Sequence, residues 1–198
     1  MSRRFTCFFV LPAVLFFCAG CQSQKPEETA AQTAAPAAQK PSGEVTYTVP
    51  EGWVAQPPSS QMRKAEFALP GVEGKEAAEL AVFFFPGMGG SVEANLERWY
   101  GQFEQSDGSA TKHRAQSQQL EVNGLAVTVV SVAGTYLKSS SPMMMGGPTE
   151  KLPDYAMLAA IVETGGGPWF FKAVGPQATI AHWRPSFDAF VRSFKIAQ

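Results

Sequence analysis

Cysteine is scarce in this 198-residue chain: it has three, at positions 7, 18 and 21, and none follows Cys21. The long remainder of the chain therefore contains no intramolecular disulfide. Histidine is almost as rare, since His113 and His182 are the two that the sequence contains. Neither has a second histidine or a cysteine at metal-ligand spacing, which argues against a zinc site of the usual kind.

An excess of positive charge is missing as well. From Glu44 onward the chain has 12 Lys or Arg against 15 Asp or Glu, a net charge of −3, and the basic residues form no stripe. Proteins that bind nucleic acids or anionic lipid surfaces present basic patches. We therefore expect neither of these as a partner of this part of the chain.

The sequence also lacks a recognisable set of catalytic side chains and a phosphate-binding motif. His182 and Ser186 are four residues apart on a predicted helix and can touch, but Asp188 faces away, so no catalytic triad forms. The turn 86–91 lacks the third glycine of a dinucleotide fingerprint, because that position is Val92, and it lacks a phosphate-loop ending. We predict that the protein is not an enzyme, with no cofactor or metal site.

The first 20 residues have the layout of a secretory signal peptide. Arg3 and Arg4 supply positive charge, and an apolar run from Phe5 to Ala19 follows them. A membrane-spanning helix needs roughly 20 apolar residues, whereas this run is shorter and contains Pro12. The pattern predicts export and cleavage rather than a permanent membrane span.

The residues Ala19-Gly20-Cys21 resemble the lipobox of bacterial lipoproteins, although the family prefers leucine where this chain has Cys18. The resemblance implies cleavage after Gly20, diacylglycerol on the Cys21 thiol, a further acyl chain such as palmitate on the new amino terminus, and stable membrane anchoring. Gln22 resembles the outer-membrane sorting signal of diderm lipoproteins. The alternative is a secreted protein in which Cys21 is a stray thiol.

Composition divides the mature chain into two parts. Residues 21–43 are mainly Ala, Gln, Thr, Pro, Lys and Glu, and have too little apolar surface to offset their conformational entropy. We predict that they form a disordered tether carrying lipid. Residues 44–198 have the usual length of one globular domain with its own core.

Two apolar stripes at helical spacing predict amphipathic helices. Ser91 is the expected N-cap of the first helix, and Pro185 is expected to kink the second or to start its second half. Asn123-Gly124 predicts a tight hairpin between two strands. The stripes are Val92, Leu96, Trp99 and Phe103 in the first helix, and Ile180, Trp183, Phe187, Phe190 and Phe194 in the second.

The order of strands, helix, antiparallel meander and helix predicts an α+β fold, with a largely antiparallel sheet of about six or seven strands flanked by two amphipathic helices. The opening stretch 47–53 and the closing stretch 187–194 resemble the ends of the PsbP-like fold, an α/β/α sandwich. That family includes an extrinsic subunit of photosystem II and many small bacterial lipoproteins. The resemblance implies a binding or docking module and transfers no functional residue.

The segment Ser139–Pro148 contains the run Met143, Met144, Met145 and predicts an exposed loop. Flexible methionines suit contact with a partner, thioethers also bind Cu(I), and a loop without a specific role is the third interpretation.

We predict a membrane-anchored envelope lipoprotein that acts as a binding or scaffold module for an unknown protein or small ligand. The alternative is a copper carrier or an unrecognised enzyme.

Mass spectrometry of the protein from its native host tests the lipid anchor. We expect the mature chain to begin at Cys21 and to carry lipid on the sulfur of that residue, because the residues before it match a lipoprotein cleavage site. A mature form that begins elsewhere, or a Cys21 thiol without lipid, would contradict the prediction.

Overall fold

The computed structural model describes residues 40–139 and 149–197, which belong to the unit Ala38–Gln198. The predicted signal peptide, the lipidation site Cys21 and the methionines Met143–Met145 all lie outside the described residues. The end of the predicted tether lies within them, at residues 40–43, and it contacts the domain. There, the Pro41 carbonyl accepts a hydrogen bond of 2.8 Å from the amide of Gly165.

Ten strands lie in the described part of the chain, and eight of them form one antiparallel sheet. The strands are β1 (Val45–Thr46), β2 (Val54–Gln56), β3 (Arg63–Leu69), β4 (Ala78–Phe84), β5 (Phe103–Glu104), β6 (Gln116–Val122), β7 (Leu125–Ser139), β8 (Thr149–Thr164), β9 (Gly167–Pro176) and β10 (Lys195–Ile196).

The main sheet has the order β2-β3-β4-β9-β8-β7-β5, and β6 pairs with the first half of β7. The separate pair β1-β10 joins the two ends of the domain. The turn between β6 and β7 is built by Asn123 and Gly124, whose φ angles of 50° and 79° are those of the predicted hairpin turn. The Asn123 side chain also donates a 2.8 Å hydrogen bond to the Phe194 carbonyl.

Two helices complete the fold, α1 (Val92–Tyr100) and α2 (Gln177–Arg192). The Ser91 hydroxyl accepts a 3.2 Å hydrogen bond from the amide of Ala94, so the predicted N-cap of α1 is confirmed. The helix α2 continues through Pro185. Neither helix within residues 40–139 and 149–197 has the length and apolar character needed to cross a membrane.

The predicted α+β fold, with a mainly antiparallel sheet and two helices, is confirmed. The sheet has one strand more than the upper predicted number, because β2 and β5 have only three and two residues and leave no clear periodic pattern. Two residues were assigned to helices that end before them. Phe103 lies in β5, because α1 stops at its C-cap, Gly101, and Phe194 lies beyond the end of α2 at Arg192. Phe103 is nevertheless buried, as its place in the apolar stripe predicted.

Each face of the main sheet carries its own hydrophobic cluster. The α2 face holds an aromatic group in which Phe171 packs against Phe194 at 4.4 Å and against Phe190 at 5.6 Å between ring centroids. The α1 face is covered by Trp99, whose ring lies 6.1 Å from that of Phe170. Strand β9 therefore contributes aromatic residues to both clusters.

Replacement of Phe190 by Ala tests the α2-face cluster. The Phe190 ring is fully buried and lies close to several other aromatic rings, so we expect its loss to reduce the free energy of unfolding by about 3–5 kcal/mol. Met88→Ala is the control, because Met88 is 82% exposed and its replacement should change stability by less than about 0.5 kcal/mol. Equal urea-unfolding midpoints for the two variants would contradict the assignment of the core.

Candidate functional site

The side chain of Lys172 points from the middle of the sheet towards the α1 face. Its register partners are Ala81 on β4 and Ala159 on β8, and directly paired residues of antiparallel strands share a face. Phe170 and Val174 flank it along β9 on the same face. The two alanine methyl groups leave space around the lysine that larger side chains would fill.

The Lys172 amine is surrounded by aromatic rings rather than by acids. Its Nζ donates a hydrogen bond to Oε1 of Gln102 and lies 6.0 Å from the ring centroid of Trp99 and 5.8 Å from that of Tyr136. Burial lowers the pKa of Lys172 to about 7, and the positive charge of Arg98 adds to this effect. The amine therefore changes its charge close to neutral pH.

A cavity of about 720 Å³ opens beside this lysine, on the α1 face of the sheet. Its volume lies within the range of about 300–1,000 Å³ that is typical of small-molecule sites. We call this cavity the tyrosine–lysine cleft. Its lining includes Arg63, Glu76, Glu79, Gln102, Tyr136 and Tyr155, and two of these residues, Gln102 and Tyr136, contact the amine of Lys172.

Two stacked tyrosines form a flat surface in the cleft. The rings of Tyr136 and Tyr155 have centroids 6.2 Å apart and are inclined by 9°. The Tyr155 hydroxyl donates a 2.9 Å hydrogen bond to Oε2 of Glu76, and burial together with this carboxylate raises the pKa of Tyr155 to about 12. Burial also raises the pKa of Tyr136, with a further contribution from the charge of Glu79. Both hydroxyls therefore stay protonated at neutral pH.

The charged residues of the cleft largely neutralise one another. Arg63 Nη1 lies 2.7 Å from Glu79 Oε1 and 2.9 Å from Glu66 Oε1. Glu66 also accepts a 2.8 Å hydrogen bond from the amide of Ser59. The cleft thus combines an apolar aromatic surface with fixed polar groups of both signs, the combination that orients a small molecule in a binding site.

The side chains that the sequence singled out do not form this site. His113 and His182 are both exposed. Cys21 and Met143–Met145 lie outside the described residues, and their predicted roles stay predictions. The described residues on either side of the methionine segment, Ser139 and Thr149, do line the cleft.

Sequence reasoning missed the cleft because its residues come from separate elements. Arg63 is on β3, Glu79 on β4, Gln102 between α1 and β5, and Tyr136 on β7, and no motif or spacing connects them. A signal did exist for Lys172. It interrupts the otherwise apolar run 169–174, which lies in β9, and a lysine is unusual in such a run.

Within residues 40–139 and 149–197, no three His, Cys, Asp or Glu side chains come together as a set that would hold a metal ion. The cleft itself offers carboxylates from Glu76 and Glu79, but each already has a partner, the Tyr155 hydroxyl and the Arg63 guanidinium respectively.

No family model and no curated protein sequence matches this chain. Similar solved structures include the protein of unknown function PA94 from Pseudomonas aeruginosa, with a TM-score of 0.47, 12% identity and coverage of 79% of this chain and 99% of that one. The cyanobacterial PsbP protein CyanoP from Synechocystis sp. PCC 6803 has a TM-score of 0.46, 12% identity and coverage of 77% and 86%.

LpqN of Mycobacterium tuberculosis, a protein involved in cell envelope biogenesis, has a TM-score of 0.44, 10% identity and coverage of 80% of this chain and 86% of its own. One of these three structures, CyanoP, is described as a PsbP protein.

The pH dependence of stability tests the environment of Lys172. An unfolded chain binds a proton on this lysine with the ordinary pKa of about 10.4, whereas the folded pKa is about 7. Between these values the unfolded state holds more protons, so a rise in pH stabilises the native state. We expect the free energy of unfolding of the wild type, minus that of Lys172→Met, to increase from about pH 7 to pH 10.

Urea unfolding at several pH values measures this difference. Lys112→Met, which removes a lysine from an exposed position, is the matched control for the loss of one positive charge. A difference between the wild type and Lys172→Met that does not change with pH would show that burial leaves the affinity of this amine for protons unaltered.

Proposed function

We propose that the domain is a binding module that holds a small molecule in the tyrosine–lysine cleft. The observation that carries the proposal is the cavity of about 720 Å³, in which the stacked rings of Tyr136 and Tyr155 lie close to Arg63, Glu79 and the amine of Lys172. A site of this kind gains affinity from its apolar surface and specificity from its few fixed polar groups. The proposal assigns binding to the domain and assigns no reaction.

The geometry of the lining indicates which kind of molecule fits. The nearly parallel rings of Tyr136 and Tyr155 offer a flat surface to a planar group. The Gln102 side chain and the Tyr155 hydroxyl supply hydrogen-bonding groups, and the ion pair of Arg63 with Glu79 supplies charges of both signs. We therefore infer a ligand with a planar apolar part and at least one polar substituent.

The cellular setting of the proposal rests on the sequence. Lipid on Cys21 would hold the protein at the cell envelope, and Gln22 favours the outer membrane as its place. The tether that follows would keep the domain close to the bilayer without embedding it. In this setting the cleft binds its ligand outside the cytoplasm. Contact of a partner protein with Met143–Met145 stays a separate prediction from the sequence.

Blocking the cleft with a large side chain tests the proposal. Ala77 is exposed and lines the cleft, so Ala77→Trp introduces a bulky ring there while leaving the hydrophobic clusters intact. The probe is 4-hydroxybenzoate, a planar molecule with polar groups, observed by saturation-transfer NMR with the full-length protein in detergent. We expect its binding signal to fall at least about fivefold in Ala77→Trp, because the added ring occupies the volume that the probe needs.

Ala126→Trp is the matched control, since Ala126 is an exposed alanine on β7 that does not line the cleft. Both substitutions should change stability by less than about 0.5 kcal/mol, as is usual for exposed positions. The control should bind the probe like the wild type. Absence of binding to the wild type, or equal signals from all three proteins, would overturn the proposal.

A further inference from the structure

The Lys172 amine is partly buried and has a neutral hydrogen-bond partner, in contrast to three exposed lysines that pair with acids. Lys40, Lys138 and Lys151 each have a glutamate oxygen within 4.0 Å. Lys172 has no carboxylate within that distance among the described residues, and its Nζ is hydrogen-bonded to the neutral amide oxygen of Gln102. A buried ammonium ion without an acid is costly, so this setting favours the neutral amine.

Most of the charged groups on the elements around Lys172 also favour the neutral form of its amine. Arg98 on α1 and Arg63 on β3 disfavour a positive charge on Lys172, and Glu79 on β4 opposes them. From β7, Tyr136 presents a ring whose hydroxyl stays protonated, and on β8 the residue paired with Lys172 is the uncharged Ala159. With a pKa of about 7, much of the Lys172 population has a free electron pair at neutral pH.

The amine also lies next to the space in which a ligand would bind. Gln102 and Tyr136 contact Nζ and line the tyrosine–lysine cleft at the same time. Gln102 follows the end of α1 and is partly exposed. Rotation of this one side chain away from Nζ removes the single hydrogen bond described for the amine and presents its electron pair to the cleft.

We propose that Lys172 captures carbonyl compounds: a molecule held in the tyrosine–lysine cleft carries an aldehyde or ketone group that forms a reversible imine with Nζ. This inference rests on the proposed binding function and names the chemical class of the ligand. The reaction needs an unprotonated amine that a bound carbonyl group can reach. Lys172 does not itself line the cleft, but its Nζ is hydrogen-bonded to Gln102, which does, so the ligand reaches the amine once that side chain moves aside.

The chemical step uses no oxidant or reductant. The Nζ electron pair attacks the carbonyl carbon, a C–N bond forms, and the electron pair of the C=O double bond moves to oxygen, which takes up a proton. The resulting carbinolamine loses its hydroxyl group and an N–H proton as one water molecule, and a C=N bond remains. Hydrolysis by water reverses the sequence and releases the carbonyl compound unchanged.

Reductive trapping tests the inference on the full-length protein in detergent. Benzaldehyde and sodium cyanoborohydride are added at pH 7.5 in an amine-free buffer, and peptide mass mapping locates the benzyl groups that result from reduction of the imine. An ordinary exposed lysine is about 0.1% neutral at this pH. We expect Lys172 to be labelled at least about tenfold faster than the exposed Lys64, Lys112 and Lys195.

The cleft variants provide the controls. Labelling of Lys172 should be unchanged in Ala126→Trp and strongly reduced in Ala77→Trp, because the second variant blocks the route to the amine. Lys172→Arg replaces the amine with a guanidinium group, which is not nucleophilic, and the fast-labelled peptide should disappear from its map. Since the wild-type map alone ranks the lysines, the test does not depend on how well the Lys172 variant folds.

The possible failures separate the inference from the proposed function. Labelling of the exposed lysines without labelling of Lys172, in a protein that still binds 4-hydroxybenzoate, overturns the carbonyl chemistry and leaves the binding function standing. Equal labelling of Lys172 in the wild type and Ala77→Trp, together with no binding of 4-hydroxybenzoate, overturns the cleft as the ligand site, and the inference falls with it.

Discussion

The register of strand β9 is the constraint on which both faces of the domain depend. Phe171 and Ala173 are fully buried on the α2 face, so the side chains between them must point to the α1 face. A slip of one residue would drive the Lys172 amine into the aromatic cluster around Phe171 and bring aromatic rings out of it. The packing of α2 therefore fixes the place of the lysine, although the helix lies on the opposite side of the sheet.

The cleft exists because the α1 face is covered less completely than the α2 face. The helix α1 has nine residues and ends at Gly101, whereas α2 has 16. The residues paired with Lys172 are Ala81 and Ala159, and their small side chains leave space on this face of the sheet around the lysine. Because the aromatic residues of the α2 face supply a complete hydrophobic cluster, the fold tolerates a cavity and a poorly solvated amine on the other face.

Much of the fold was predictable from local patterns, and the site was not. Asn123-Gly124, the Ser91 cap and the apolar stripe of α2 each specify their structure within a few residues, and the structure confirms them. Phe103 was placed on the wrong element because a helical stripe does not reveal where Gly101 ends the helix. The cleft assembles side chains more than 100 residues apart in sequence, from Arg63 to Val174, and only pairing of the strands brings them together.

Packing alone does not account for a lysine at position 172. The partly buried amine lowers stability at every pH below about 10, and most strongly below about 7, where the native state holds the amine in its protonated form. A cost of this kind is typical of functional sites, where local rules of packing are broken for a binding or chemical role. The same burial that makes the amine unfavourable for folding keeps its electron pair free, so the destabilising feature and the proposed binding chemistry have one physical cause.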